Sequence, residues 1–412
     1  MVSQFPKDFI WAVATAGHQV EGNNVNSDTW YAEHAKPTVF KEPSLRACNS
    51  YELWREDIDL VVGMNLSAYR YSVEWARIEP TEGVFDEAEL DHYEAMVDYC
   101  REKGLKSIVT FNHFTAPSWF AAKGGWLNPE APELFARYCA KVAQRIGHKI
   151  DFAVTLNEPN LGRLLHWIGL PDFVHDLERA TLEACSQQAG VERYRLANVL
   201  LPEEMGAIED GLAAGHAAGK AAIKSVVPNL PVGFSLALMH DIVVGDDSSV
   251  RDRKRTECYE RWLELAKSDD FIGVQNYETH RFDGKGLVKA EAGGADTNGM
   301  GSLIDADSLA GAVRYVYENV GRPILVTEHG LLHADDSLRE KFIPEALEKL
   351  HEVVASGVPV LGYTHWTLLD NFEWIFGFEF RYGLHSVDHN TFERTAKGSA
   401  NVYAAIAKAQ RA

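Results

Sequence analysis

Cysteine is scarce in this chain. Its 412 residues contain five, Cys48, Cys100, Cys139, Cys185 and Cys258, with no Cys-x-x-Cys pair. An odd, scattered set argues against a disulfide framework and for free thiols in a reducing compartment. No run of 18 apolar residues occurs, so no membrane-spanning helix and no membrane partner are expected. The opening from Met1 to Trp11 has neither a basic stretch nor a long apolar one. No signal peptide is therefore expected, and a cytoplasmic location follows. Asn65-Leu66-Ser67 is a formal glycosylation sequon, discounted because it opens a predicted strand in a chain without an export signal. Positive charge is in deficit, with 40 Lys and Arg against 60 Asp and Glu for a net charge of −20. That excludes the basic face a nucleic acid needs and reads as a solubility surface. Sixteen histidines form no His-x-His or His-Glu-x-x-His, so no metal is expected. No P-loop or Gly-x-Gly-x-x-Gly occurs either, so no cofactor is expected. No Pro/Ser-rich linker interrupts residues 1–412, which are read as one domain although length alone suggests two or three.

Short apolar runs alternate with longer helical patterns, the mark of βαβ units and a parallel sheet. The predicted strands are Phe9–Ala14, Ser67–Ser72, Ser107–Phe111, Phe152–Leu156, Val232–Met239, Phe271–Gln275, Ile324–Thr327 and Pro359–Thr364. Helices are predicted over Asp86–Lys103, Pro132–Ile146, Glu203–Val226, Arg251–Ser268, Leu309–Glu318 and Ser337–Ala355. The first carries Leu90, Tyr93, Met96 and Val97 on one face. Asp86 with Glu89 suits a capping box, and Gly104 suits a helix stop. Eight strands with interleaved helices predict a single (β/α)8 barrel, with a doubly wound sheet as the competing fold.

Barrel enzymes place their chemistry at the C-terminal ends of the strands. Arg70, His113, Asn157-Glu158, Asn276-Tyr277, Glu328 and His365-Trp366 all fall at or just past predicted strand ends. Glu158 and Glu328 leave apolar strands four and seven, so their carboxyls would face each other across one mouth. Glycoside hydrolysis needs that arrangement: one carboxyl protonates the leaving oxygen and the other attacks or stabilises the anomeric centre. Spacing alone leaves an exposed loop glutamate as the competing reading for each.

At these residues the chain resembles glycoside hydrolase family 1, the β-glucosidase family. Phe9–Ala16 with Gln19-Val20-Glu21-Gly22 resembles its opening signature, and Thr155–Pro159 matches its acid/base motif. Val326–Gly330 resembles its nucleophile motif, and Trp366–Trp374 its sugar-binding segment. The resemblance implies a retaining β-glycosidase acting on small or oligosaccharide β-glycosides. Glu328 would be the nucleophile and Glu158 the acid/base. Arg70, Asn276 and Tyr277 would support the nucleophile. Asn157 would bind the 2-hydroxyl, with Gln19, His113, Glu373 and Trp374 on the other hydroxyls and Trp366 as the stacking floor. Glucose, galactose and fucose all suit these groups. Transglycosylation, and a sugar-binding protein without catalysis, are the alternatives; oligomeric state is not indicated.

Several positions depart from the family pattern. His329 stands where Asn is usual, and Phe114 where Trp is usual. The family's second tyrosine, which bonds the nucleophile, is matched here by Glu278. A third carboxylate near Glu328 would raise its pKa unless His329 or Arg70 compensates. Three readings follow: Glu278 points away and Tyr277 or another group serves the nucleophile, Glu278 recognises an unusual or cationic substrate group, or it marks an altered pH optimum or low activity. The chain is also short after Pro159, and Leu161–Glu178 lacks the usual glycine-rich pattern, so aglycone preference is not inherited. Glu373 is retained and Phe376–Tyr382 contains no lysine, so a 6-phosphoglycoside is not expected.

Overall fold

Eight short strands hydrogen-bond side by side, all parallel, into a closed ring. The computed structural model describes residues 2–289 and 297–411. Its barrel strands are β1 (Ile10–Ala14), β2 (Ala68–Ser72), β3 (Lys106–Asn112), β4 (Phe152–Asn157), β5 (Val232–Ala237), β6 (Ile272–Asn276), β7 (Ile324–His329) and β8 (Val360–Trp366). They follow chain order around the ring, and β8 pairs back onto β1. Helices lie between them, so the fold is the (β/α)8 barrel and not the doubly wound sheet.

Side chains alternate across each strand, and this two-residue period sorts them into two cores. Ile10, Ala12, Ala68, Ile108, Val154, Phe271 and Leu325 form a small cluster of their own. Two residues further along β2 and β3 the same face carries Arg70 and Thr110, which hydrogen-bond each other at 3.2 Å. The barrel interior thus changes from apolar at the start of the strands to polar at their ends. The intervening residues, among them Trp11, Tyr69, Val109 and Phe111, join the large core shared with the helices.

The predicted helices are present with small shifts. In Glu87–Glu102, Asp86 caps Ala88 and Glu89 through its carboxylate at 2.9 and 3.4 Å. The reciprocal half of the capping box is missing, because the Glu89 carboxylate instead accepts from the Tyr51 hydroxyl at 3.0 Å. The helix predicted over Arg251–Ser268 is three segments, with a π turn over Thr256–Glu260. Val232–Met239 ends two residues early, and His240–Val243 instead joins a three-stranded sheet with Thr279–Asp283 and Gly286–Leu287 outside the barrel. Four helices of eight or more residues were not foreseen: Ser50–Gly63, Leu161–Ile168, Asp172–Ala189 and Gly398–Arg411. Among the described residues no helix is long and apolar enough to cross a membrane. All five cysteines are buried and unpaired.

Candidate active site

The two strands that carry the paired carboxylates are both irregular at their ends. The register of β4 against β5 shifts between Val154 and Asn157, and that of β7 against β6 shifts between Val326 and Glu328. Such bulges re-aim side chains at the rim of a barrel. Glu158 follows β4 directly in a left-handed conformation, φ 44°, an uncommon state for a non-glycine residue that gathers at functional sites. Two strands, β5 and β6, separate β4 from β7 around the ring.

Glu328 is buried and held from two sides. The Arg70 guanidinium donates to Oε1 at 2.5 Å and the Tyr277 hydroxyl to Oε2 at 2.6 Å. Arg70 is itself fully buried and also donates to the Thr327 carbonyl at 3.0 Å and to Asn157 Oδ1 at 2.7 Å. One guanidinium therefore ties β2 to β4 and β7. By contrast, no hydrogen bond reaches the Glu158 carboxyl from any described residue.

Burial pushes both carboxyls up, but their neighbours separate them. For Glu328, Arg70, Tyr277 and Gln275 oppose the effect of burial. Glu158 stands well above the usual carboxylate range, from burial first and then from repulsion by Glu328, with Arg70 opposing. The pair therefore ionises in order, Glu328 before Glu158. A protonated acid facing an ionised carboxylate can deliver a proton to a leaving oxygen while the carboxylate attacks.

Asn157 has both ends fixed. Its Oδ1 accepts from Arg70 and, at 2.8 Å, from Gln275 Nε2. Its amide hydrogen must therefore point to His113 Nε2, 3.2 Å away. That assignment leaves the His113 proton on Nδ1, and the ring is neutral because burial and then Arg70 push its pKa well down. His113 Nδ1 is buried without a protein partner among the described residues, as are Gln19 Oε1, Gln275 Oε1 and Glu373 Oε1. Buried polar atoms are normally satisfied, so one donor and three acceptors stand ready for a ligand rich in hydroxyls. The rings of Trp366, His113 and Trp374 run nearly parallel, with centroids 5.7 and 6.1 Å apart across His113. Trp366 packs with Ala14, Ala16, Tyr277 and Tyr382. Gln19 is anchored by its amide nitrogen on the Phe372 carbonyl at 2.8 Å.

One expectation, the role of Asn276, is corrected, and of the three readings of Glu278 the first fits the structure. Asn276 makes no hydrogen bond to Glu328; its amide donates to the backbone of Leu238 and Glu278 at 2.8 and 3.1 Å. On β6 the residues facing the carboxylates are Gln275 and Tyr277, one position either side. Gln275 was missed, and the signal for it was the two-residue strand period counted back from Tyr277. Glu278 faces away from Glu328: its oxygens accept from Asn298 at 2.8 Å, Ser302 at 2.6 Å and His280 at 3.2 Å. Burial raises its pKa, but these donors, led by His280, outweigh it and hold the carboxyl below its ordinary value. Finally, His329 does not compensate a charge at the site. It bonds the Tyr363 hydroxyl at 3.0 Å and packs on Phe342, and burial pushes its pKa down to about 3, so the ring is neutral.

Comparison with known proteins places this geometry. Residues 1–181 and 263–412 match the model of glycosyl hydrolase family 1. Beta-glucosidase A of Thermotoga maritima is 28% identical over 445 residues, covering 99% of this chain and 98% of its own. The bifunctional beta-D-glucosidase/beta-D-fucosidase of Bifidobacterium breve is also 28% identical, covering 98% of each. Among solved structures, beta-glycosidase BGL167 is 42% identical with a TM-score of 0.92, covering 99% of this chain and 98% of its own.

Proposed function

The chain belongs to glycosyl hydrolase family 1, and from that premise we propose that Glu328 and Glu158 carry out retaining hydrolysis of O-linked β-glycosides as nucleophile and acid/base. The observation that supports these roles is the asymmetry of the pair: Glu328 clamped by Arg70 and Tyr277, Glu158 without a hydrogen-bond partner and far up in pKa. In the first step Glu158 protonates the glycosidic oxygen while Glu328 attacks the anomeric carbon. The C–O bond breaks, the aglycone leaves as an alcohol, and a glycosyl ester forms on Glu328. That ester carries no charge, so the repulsion raising the Glu158 pKa disappears. Glu158, now ionised, takes a proton from water as the water displaces Glu328. Asn157, fixed by Arg70 and Gln275, presents its amide to the sugar 2-hydroxyl. Gln19, His113 and Glu373 offer unpaired polar atoms to the remaining hydroxyls, and Trp366 and Trp374 supply the ring faces.

Glucose is the proposed glycone, with galactose and fucose as close alternatives; relatives named for glucosidase, galactosidase and fucosidase activity accompany this chain. The single-domain organisation and a cytoplasmic location belong to the same proposal, the latter supported by five buried free thiols. Glu278 and His329 gave the non-catalytic reading its support, and both side chains are engaged elsewhere. The test is a panel of aryl β-glycosides with wild type and Glu328→Gly, following the anomeric configuration of the first-formed sugar by NMR. Cleavage with retention by wild type and a dead variant are expected. Inversion, or turnover by the variant, overturns the assignment.

A further inference from the structure

The side chains around the two carboxylates form a closed circuit. From Glu328 the contacts run through Arg70 to Asn157, at 2.5 and 2.7 Å, and on from Asn157 to His113 at 3.2 Å. The His113 ring lies between those of Trp366 and Trp374, and Glu373 directly precedes Trp374. In the other direction Glu328 accepts from Tyr277 at 2.6 Å, and the Tyr277 ring meets the Tyr382 ring edge-on, with centroids 5.5 Å apart. Both tyrosines pack on Trp366. Among the charged groups that bear on the Tyr382 hydroxyl, Glu373 acts most strongly, followed by Glu278, Glu158 and Glu328. Tyr382 therefore closes the circuit between Glu373 and Tyr277.

Tyr382 is positioned by its backbone neighbours and not by its hydroxyl. The Arg381 carbonyl accepts from the fully buried Arg339 at 2.8 Å, and the Gly383 amide donates to Asp370 Oδ1 at 2.9 Å. The Leu384 amide donates to the Thr367 carbonyl at 2.9 Å. The segment is thus fastened to the residues that follow Trp366. A Cβ on Gly383 would lie 2.1 Å from the Asp370 nitrogen, so the close approach needs glycine. The Tyr382 side chain is half-buried, and its hydroxyl makes no hydrogen bond with any described residue. Burial pushes the hydroxyl well above its ordinary pKa, and the four carboxylates push it further. It therefore keeps its proton and is free to donate it.

A β-pyranoside with its anomeric carbon on Glu328 and its 2-hydroxyl on Asn157 lays the rest of its ring along this circuit. Positions 3 and 4 follow toward His113, Gln19 and Glu373. C5 and its exocyclic C6 return along the two tyrosines, of which Tyr277 already gives its proton to Glu328. We infer that Tyr382 donates a hydrogen bond to the 6-hydroxyl of the glycone and so selects hexosides with a free 6-hydroxyl over 6-deoxy and pentose glycosides. That hydroxyl can in turn donate to the buried, unpartnered Glu373 Oε1. A site built to bond a hydroxyl rejects the analogue that lacks it, because its own polar groups are left unpaired. The inference rests on the glycosidase reading above and narrows its glycone: glucose and galactose carry the 6-hydroxyl, and fucose does not.

The test compares kcat/KM for 4-nitrophenyl β-glucoside and 4-nitrophenyl 6-deoxy-β-glucoside in wild type and in Tyr382→Phe. The leaving group is shared, and each ratio is taken within one preparation, so a change in folded fraction cancels. Wild type should favour the glucoside. Tyr382→Phe should shrink that preference about 3- to 10-fold, the effect of one neutral hydrogen bond, with little change on the 6-deoxy substrate. Tyr277→Phe should slow both substrates alike, because its hydroxyl acts on Glu328. A wild-type preference for the 6-deoxy substrate overturns the inference. So does an unchanged ratio in Tyr382→Phe, whether from no effect or from equal losses. If both substrates are cleaved while the ratio fails, the glycosidase reading stands without it; if no glycoside is cleaved, both fall.

Discussion

Tyr277 donates its hydroxyl hydrogen to Oε2 of Glu328 at 2.6 Å, opposite the oxygen held by Arg70. The donor steadies the charged carboxylate and aims its free lone pairs. The charge is lost when the glycosyl ester forms, so this bond also sets how readily Glu328 becomes a leaving group in the second step.

Tyr277→Phe removes one hydrogen bond to a charged group, worth about 1.5–3 kcal/mol, so kcat should fall roughly 10- to 150-fold. The lost donor favoured the ionised form, so the acidic limb of the kcat/KM profile should move to higher pH. Aryl glycoside kinetics from pH 4 to 9 check both. A limb that stays in place would show that the hydroxyl does not bear on the ionisation of Glu328.

Gln275 holds Asn157 Oδ1 at 2.8 Å. Gln275→Ala should loosen the Asn157 amide, whose proposed partner is the 2-hydroxyl. The expected loss in kcat/KM is about 10-fold for a glucoside and much less for the 2-deoxyglucoside, because contacts to that hydroxyl strengthen in the transition state. Equal losses on both substrates would place the effect on Glu328 instead.

Glu278 should be silent in the pH–rate profile. Glu278→Gln keeps the shape of the side chain and should leave both limbs unmoved. Glu278→Ala strands donors on Asn298 and Ser302 and should lower stability by about 1–3 kcal/mol, measured by denaturant unfolding. A shifted limb in the glutamine variant would place this carboxylate in electrical contact with Glu328.

His329 makes the fold sensitive to acid. Its folded pKa is pushed down to about 3 by burial, below the value of about 6.5 in an unfolded chain. The unfolded state therefore binds more protons below that value, and stability is lost as pH falls. His329→Asn removes the titration, so its stability loss between pH 7 and pH 5 should be smaller by about 2 kcal/mol. Unfolding midpoints at the two pH values test this, and equal losses would mean that the ring is not buried neutral.

The strands were legible because each is an apolar run closed off by polar residues, but their ends were not. β7 continues through Glu328 to His329, where a charged residue reads as a loop although its backbone stays paired. The helix Leu161–Ile168 was missed although Leu161, Leu164, Leu165 and Ile168 recur at a helical period; it is eight residues long and only Leu164 is buried, so the segment is too short to stand out from the loop around it. At β6, Asn276 and Tyr277 were both expected beside the nucleophile, whereas the folded strand presents Tyr277 and Gln275 and turns Asn276 to the backbone.

Composition, strand order and the two glutamate motifs were properties of the sequence itself, because local alternation and short-range motifs need no partner to be read. Which side chains converge was decided only in three dimensions. Arg70 and Glu328 lie 258 positions apart and meet at 2.5 Å, because barrel closure brings the ends of β2, β4 and β7 around one guanidinium. Near each carboxylate a bulge displaces the strand register. A one-residue change of register exchanges the face that points into the barrel for the face that points away. The neutral His329, the averted Glu278 and the inward Gln275 are consequences of which face won.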